Sequence, residues 1–325
     1  RQPMERKKNR ANMVSITKIV LMIAILTLAL TGVGFIVERS PAGDTAAIAT
    51  PIPAPSPAPP RLIRLRPEDP LISAEAVLVE RFIGDQVLLE RNAEAKLPIA
   101  SLTKLMTALV ASEYLAEEER VPITIQALLQ EGDSNLATGE TFTLQELIDF
   151  TLIPSSNDGA YALASAAGTV LTSGSDTTRA FIDAMNAKAE EIGLSQSYFS
   201  NPTGLDVDGA TSGSYGSARD MAFLMEYLAL KHPEILEGTK EASSTVYDGE
   251  GEGLRATNTN ELVSEIPGLI GSKTGFTGLA GGNLVIAYDA GLNRPIVIAV
   301  LGSSRAGRFS DVMALVAETN RAIAE

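Results

Sequence analysis

The chain has 325 residues, a formal net charge of −14, no cysteine and one histidine. Disulfides, thiolate metal sites and cysteine nucleophiles are therefore excluded, and the acidic body argues against nucleic-acid phosphates as a partner. About 60 N-terminal residues read as non-globular, which leaves about 265 for one large or two closely packed lobes.

Charge is uneven along the chain. Residues 1–18 carry Arg1, Arg6, Lys7, Lys8, Arg10 and Lys18 against Glu5, a net +5, so the remainder carries about −19. Ile19 to Val37 is a charge-free apolar run of nineteen residues. At 1.5 Å per residue it matches a hydrocarbon core of roughly 30 Å, and the basic flank places its N-terminal side in the cytoplasm. An uncleaved anchor is expected ahead of a signal peptide, whose apolar region is usually shorter. Residues 38–70 form an Ala/Pro-rich linker, with Pro51 to Pro60 favouring an extended polyproline form. Residues 71–325 are expected to form the folded domain, outside the cytoplasm.

That domain opens with two strand-like runs, Ala76 to Phe82 and Gln86 to Arg91, around Gly84-Asp85. A helix follows from near Ser101 to Leu115, with Leu102, Leu105, Met106 and Leu109 spaced as one buried face. Thr143 and Glu146 have the spacing of a capping box for a helix ending before Pro154. The loop Pro154-Ser155-Ser156-Asn157-Asp158-Gly159 leads to an alanine-rich helix, and helices over about 178–192 and 218–230 complete a middle section that is nearly all helix. Strands return at 268–277, 283–288 and 295–301, and Arg308 to Ile323 reads as a closing amphipathic helix. Strands at both ends with helices between them predict an α+β fold: one antiparallel sheet built from both chain ends and packed with helices, plus an inserted helical lobe.

Three short motifs carry the chemistry. Ser101 and Lys104 are three residues apart and share one side of a helix start. A lysine in a dry site can lose its proton and act as the base for a serine nucleophile. The lone histidine, His232, precedes Pro233 at a predicted helix end and reads as a surface residue, so lysine is the natural base here. Ser155-Ser156-Asn157 and Lys273-Thr274-Gly275 follow in order. Each motif is weak alone, but their order is informative.

With these motifs the chain resembles the penicillin-binding D-alanyl-D-alanine carboxypeptidases, serine DD-peptidases that share a fold with class A β-lactamases. The resemblance runs from roughly Leu71 to Val316 and includes Lys96 to Lys104, Pro154 to Asp158, Asn201-Pro202-Thr203-Gly204-Leu205-Asp206 and Lys273 to Thr277. It implies Ser101 as nucleophile, Lys104 as general base, Ser155 as proton relay and Asn157 as a donor to the substrate amide. It further implies Lys273 as a positive charge and Thr274, with Arg308, as the binder of the substrate's terminal carboxylate. The backbone N–H groups of Ser101 and of Phe276, just after Gly275, would form the oxyanion hole.

The implied function is a membrane-anchored enzyme that removes the terminal D-Ala from peptidoglycan stem peptides and is acylated by β-lactams. A DD-endopeptidase on peptidoglycan cross-links uses the same residues. A class A-like β-lactamase would need a deacylating carboxylate, and Glu191 reads instead as a solvated helix residue. A non-catalytic wall-binding or β-lactam-sensing domain is disfavoured because all the catalytic residues are present. No cofactor or metal is expected, since one histidine without cysteine leaves only carboxylate sites.

Overall fold

The computed structural model describes residues 72–82, 86–132, 135–291 and 293–324. The basic segment, the apolar run at 19–37, the linker and the Gly84-Asp85 turn lie outside them. Among the described residues no helix is long and apolar enough to cross a membrane.

In chain order the strands are β1 (Ala76–Arg81), β2 (Val87–Arg91), β3 (Leu97–Pro98), β4 (Arg120–Pro122), β5 (Thr141–Thr143), β6 (Tyr198–Phe199), β7 (Ser214–Gly216), β8 (Ser243–Tyr247), β9 (Gly253–Thr257), β10 (Leu269–Thr277), β11 (Gly281–Asp289) and β12 (Pro295–Ser303). The helices are α1 (Thr103–Tyr114), α2 (Leu144–Leu152), α3 (Asn157–Leu171), α4 (Thr177–Glu191), α5 (Ala218–Lys231), the single turn α6 (Pro233–Leu236) and α7 (Gly307–Ala324).

The main sheet is antiparallel with strand order β10-β11-β12-β1-β2, so the first and last strands of the described residues, β1 and β12, lie side by side. Val79 lies opposite Ile298 across the β1–β12 seam, and Lys273 opposite Val285 at β10–β11. Successive side chains of a strand point to opposite faces, and here both faces are covered. Val77, Val79, Leu284, Ile286, Ile298 and Val300 pack under Val312, Leu315 and Val316 of α7. Their neighbours Ala76, Leu78, Val285, Ala287, Val297 and Ala299 join the larger core with α1 and α5. That is why β11 and β12 are almost continuously apolar rather than alternating.

The expected sheet from both termini and the inserted helices are both present. Thr143 caps α2 as its spacing predicted, accepting from the Glu146 backbone N–H while Glu146 reaches back to the Thr143 N–H. Three readings are corrected. Helix α1 does not have one buried face, because every residue from Thr103 to Ala111 is enclosed by the surrounding helices and sheet. Asn157 is not in a loop: it is the first residue of α3, whose cap is Ser156 accepting from Gly159 N–H at 3.0 Å. The middle section is not all helix, since β4 pairs with β5 and β3-β7-β6 forms a second small sheet. The hairpin β8–β9 was not foreseen, because its strands are mostly polar and exposed.

Asp311 fastens the sheet to α7. Its carboxylate accepts from the backbone N–H groups of Ser73 and Ala74 and from the hydroxyls of Ser73 and Ser303, at 2.7 to 3.0 Å.

Candidate active site

Ser101 lies in a 3₁₀ turn, Ala100–Leu102, directly before α1. The turn is tight enough to place Ala100 at φ 49°, in the left-handed region, and Thr103 Oγ1 ties it by donating to the Ala100 carbonyl at 2.7 Å. Two glycines let other segments close on it. A Cβ on Gly275 of β10 would lie 2.9 Å from the Ile99 carbonyl oxygen and 3.3 Å from the Ser101 nitrogen. One on Gly204, where φ is +79°, would lie 2.0 Å from the Ala100 carbonyl oxygen.

The residues 201–206 loop is shaped by Asn201, whose Oδ1 accepts from Thr203 N, Thr203 Oγ1 and Gly204 N. It thereby aims the Thr203 carbonyl inward. Lys104, fully buried, is the hub of the site. Its Nζ is 2.8 Å from Ser101 Oγ, 2.7 Å from Asn157 Oδ1 and 2.8 Å from the Thr203 carbonyl oxygen. Burial pushes its pKa down from 10.5 to about 7. A charged ammonium donates to all three oxygens. A neutral amine keeps two N–H donors, which suit the amide and carbonyl oxygens, and turns its lone pair to the Ser101 hydroxyl. The surroundings therefore hold the lysine in the orientation a base requires.

Ser155 stands in the left-handed region at φ 66°, where the chain turns from α2 into α3. Its Oγ accepts from Lys273 Nζ at 2.9 Å, and Lys273 also donates to the Thr274 carbonyl at 3.0 Å. Burial, with the Lys104 and Arg308 cations nearby, holds Lys273 well below the usual lysine range. Asn157 is fixed at both ends of its amide, accepting from Lys104 and donating through Nδ2 to the Glu131 carbonyl at 2.6 Å. Thr274 is buried and its hydroxyl lies 2.6 Å from that of Thr259. Arg308, buried at the start of α7, donates through Nη1 to the Gly275 carbonyl at 2.7 Å. Phe276 is largely exposed, with the Arg305 guanidinium 4.9 Å over its ring.

The motif residues thus converge in two hydrogen-bonded groups: Ser101 with Lys104 and Asn157, and Ser155 with Lys273. Thr274 and Gly275 lie along the adjoining strand β10, and Arg308 reaches that strand from α7. Sequence reading missed the Thr203 carbonyl, the Glu131 carbonyl and Thr259. The first sits in the Asn201-Pro202-Thr203-Gly204 turn signal, but nothing local marks the other two. Glu191 ends α4 as an exposed side chain paired with Lys188 at 2.7 Å.

The family model for D-alanyl-D-alanine carboxypeptidase, peptidase family S11, matches residues 64–305. The chain belongs to that family. Among DD-carboxypeptidase family members, the chain is 35% identical over 235 residues to D-alanyl-D-alanine carboxypeptidase DacF of Bacillus subtilis, covering 70% of this chain and 57% of DacF. It therefore spans little more than half of that relative's length. A D-alanyl-D-alanine endopeptidase of Pseudomonas aeruginosa is 30% identical over 252 residues, 76% of each chain. Among solved structures, penicillin-binding protein D2 of Listeria monocytogenes in its ampicillin-bound form is similar at a TM-score of 0.63 and 29% identity, over 76% of this chain and 97% of that one.

Proposed function

We propose that the chain is a serine D-Ala-D-Ala carboxypeptidase that acts on peptidoglycan stem peptides through an acyl-enzyme at Ser101 and is acylated by β-lactams. The observation that carries this reading is the buried Lys104 amine held 2.8 Å from Ser101 Oγ with a pKa near neutrality. Neutral Lys104 takes the Ser101 proton as Oγ attacks the carbonyl of the penultimate D-Ala. The Ser101 and Phe276 backbone N–H groups receive the oxyanion, a contribution of roughly 2.7 to 4 kcal/mol per donor. The C–N bond then breaks, and the departing D-Ala amine takes a proton through Ser155, which Lys273 orients. Water hydrolyses the ester and restores Ser101. Thr274 and Arg308 hold the terminal carboxylate, and Asn157 the substrate amide.

The relative named as an endopeptidase supports a second reading, cleavage of peptidoglycan cross-links by the same residues. Glu191, exposed and engaged by Lys188, supports a long-lived β-lactam adduct over rapid β-lactam turnover. The apolar run at 19–37 and its basic flank support a single-pass membrane anchor with the catalytic domain outside the cytoplasm.

The test is intact-mass detection of a one-to-one penicillin adduct on the detergent-solubilised full chain, with Ser101→Ala as control. It is combined with D-Ala release from a pentapeptide and cleavage of a cross-linked muropeptide dimer. An adduct lost in the control together with D-Ala release supports the carboxypeptidase. Dimer cleavage without D-Ala release selects the endopeptidase. Absence of both adduct and turnover refutes the proposal. Recovery in the soluble fraction after deletion of residues 1–37, but not before it, tests the anchor.

A further inference from the structure

Thr259 lies on the segment between β9 and β10, which no catalytic motif includes. Its hydroxyl is 2.6 Å from that of Thr274, close enough for one hydrogen bond, which either oxygen can donate. The direction of that bond decides what Thr274 offers a ligand. If Thr259 points its proton at the Ile153 carbonyl, 3.4 Å away, Thr274 must donate to Thr259 and turns lone pairs toward the site. If Thr259 donates to Thr274, the Thr274 proton is free to meet a carboxylate. The second arrangement costs little, because the Ile153 carbonyl already accepts from the Thr259 backbone N–H at 3.1 Å.

The segment is held firmly in register. Asn258 Nδ2 donates to the Thr239 and Glu241 carbonyls, both at 2.9 Å, and buried Asn260 donates to Ser272 Oγ at 3.0 Å. Ser272 is in turn bound through its backbone N–H to Thr239 Oγ1 at 3.1 Å. Asn260, the neighbour of Thr259, thus ties the segment to the residue preceding Lys273, and the Thr259 N–H ties it to Ile153 at the end of α2, which leads into Ser155. The Thr259 hydroxyl proton is the one part left free to turn.

We propose that Thr259 is a positioning residue that directs the Thr274 hydroxyl proton into the site and so makes acylation selective for ligands carrying a free carboxylate beside the scissile amide. The inference rests on the DD-peptidase reading. Thr259 acts through Thr274 and does not itself touch the reacting atoms.

The test compares acylation rate constants of the full chain with benzylpenicillin, which carries a carboxylate, and with its methyl ester, which does not. In Thr259→Val, which keeps the shape and removes the hydroxyl, the acid is expected to react about tenfold more slowly while the ester changes less than about twofold. Thr259→Ser is expected to restore the acid rate. The ester rate doubles as the check that the variant is folded. Equal slowing of acid and ester, no slowing of either, or failure of Thr259→Ser to rescue would overturn the proposal in favour of a packing role. A wild-type chain that forms no Ser101 adduct with either compound overturns the peptidase reading, and this inference with it.

Discussion

If Lys104 is the base, the acylation rate of the full chain must follow the deprotonation of that one buried amine. Burial lowers its pKa from 10.5 to about 7. About half of the molecules then carry the neutral amine at pH 7, against about one in three thousand for an ordinary lysine. The second-order rate of acylation by a penicillin should rise about ninefold from pH 5 to 6 and about fivefold from pH 6 to 7, and level off above about pH 8. Lys104→Arg keeps a cation but cannot give up its proton, and should lower the rate by about 10² to 10⁴. Lys273 is depressed as well and opposes Lys104 as a like charge, so the inflection belongs formally to the pair. Lys273→Arg removes one titration and isolates the other: its inflection should persist, displaced downward by the permanent charge. A rate flat between pH 5 and 9, an inflection near 10, or a Lys104→Arg chain that acylates at the wild-type rate would refute the assignment of the base.

Three further outcomes are expected on stability. Gly204→Ala places a methyl 2.0 Å from the Ala100 carbonyl oxygen at a φ of +79°, so urea melts should show a loss of at least about 2 kcal/mol together with slowed acylation. Asp311→Ala strips two backbone N–H groups and two hydroxyls of their acceptor, and should cost about 2 to 4 kcal/mol with an unchanged denaturant slope. Asp149, pushed up to about 6 chiefly by its burial, binds its proton more tightly in the folded than in the unfolded chain, so its contribution to stability falls as pH rises from about 4 to 6. Asp149→Asn should therefore stabilise the protein at pH 7 by about 1 to 3 kcal/mol, a gain that vanishes below pH 4; melts at the two pH values decide it.

The legible parts of the site were those in which chemistry follows chain spacing. Ser101 and Lys104 are three residues apart at a helix start, so their meeting needs no tertiary information. Asn157 and Lys273 were found by motif, yet what makes them a site is distant packing. The complete burial of Lys104, and with it the pKa near 7, arises because β10, the residues 201–206 loop and α3 close around it. None of these is visible from residues 99–106. The same enclosure misled the reading of α1, whose leucines suggest one buried stripe while Thr103, Lys104 and Thr107 are buried too. The sheet was legible because β11 and β12 are long apolar runs. The strands β6 and β7 span two and three residues, too short to show a period. Thr259 was invisible because its meaning lies wholly in the hydroxyl opposite it.

The seam between β1 and β12 has a consequence for how the molecule comes into being. Val77 and Val79 find their sheet partners, Val300 and Ile298, only after about 220 further residues have been synthesised. The edge strand bearing Lys273 enters the sheet through β11 and β12, so the nucleophile and its base exist as a sequence long before they exist as a site. An emerging chain therefore shows apolar β1 and an unshielded lysine with nothing to cover them. Contacts of such long sequence separation also make for slow folding. A chain that stops short of β12 is expected to be a target for proteases and chaperones rather than a weaker enzyme.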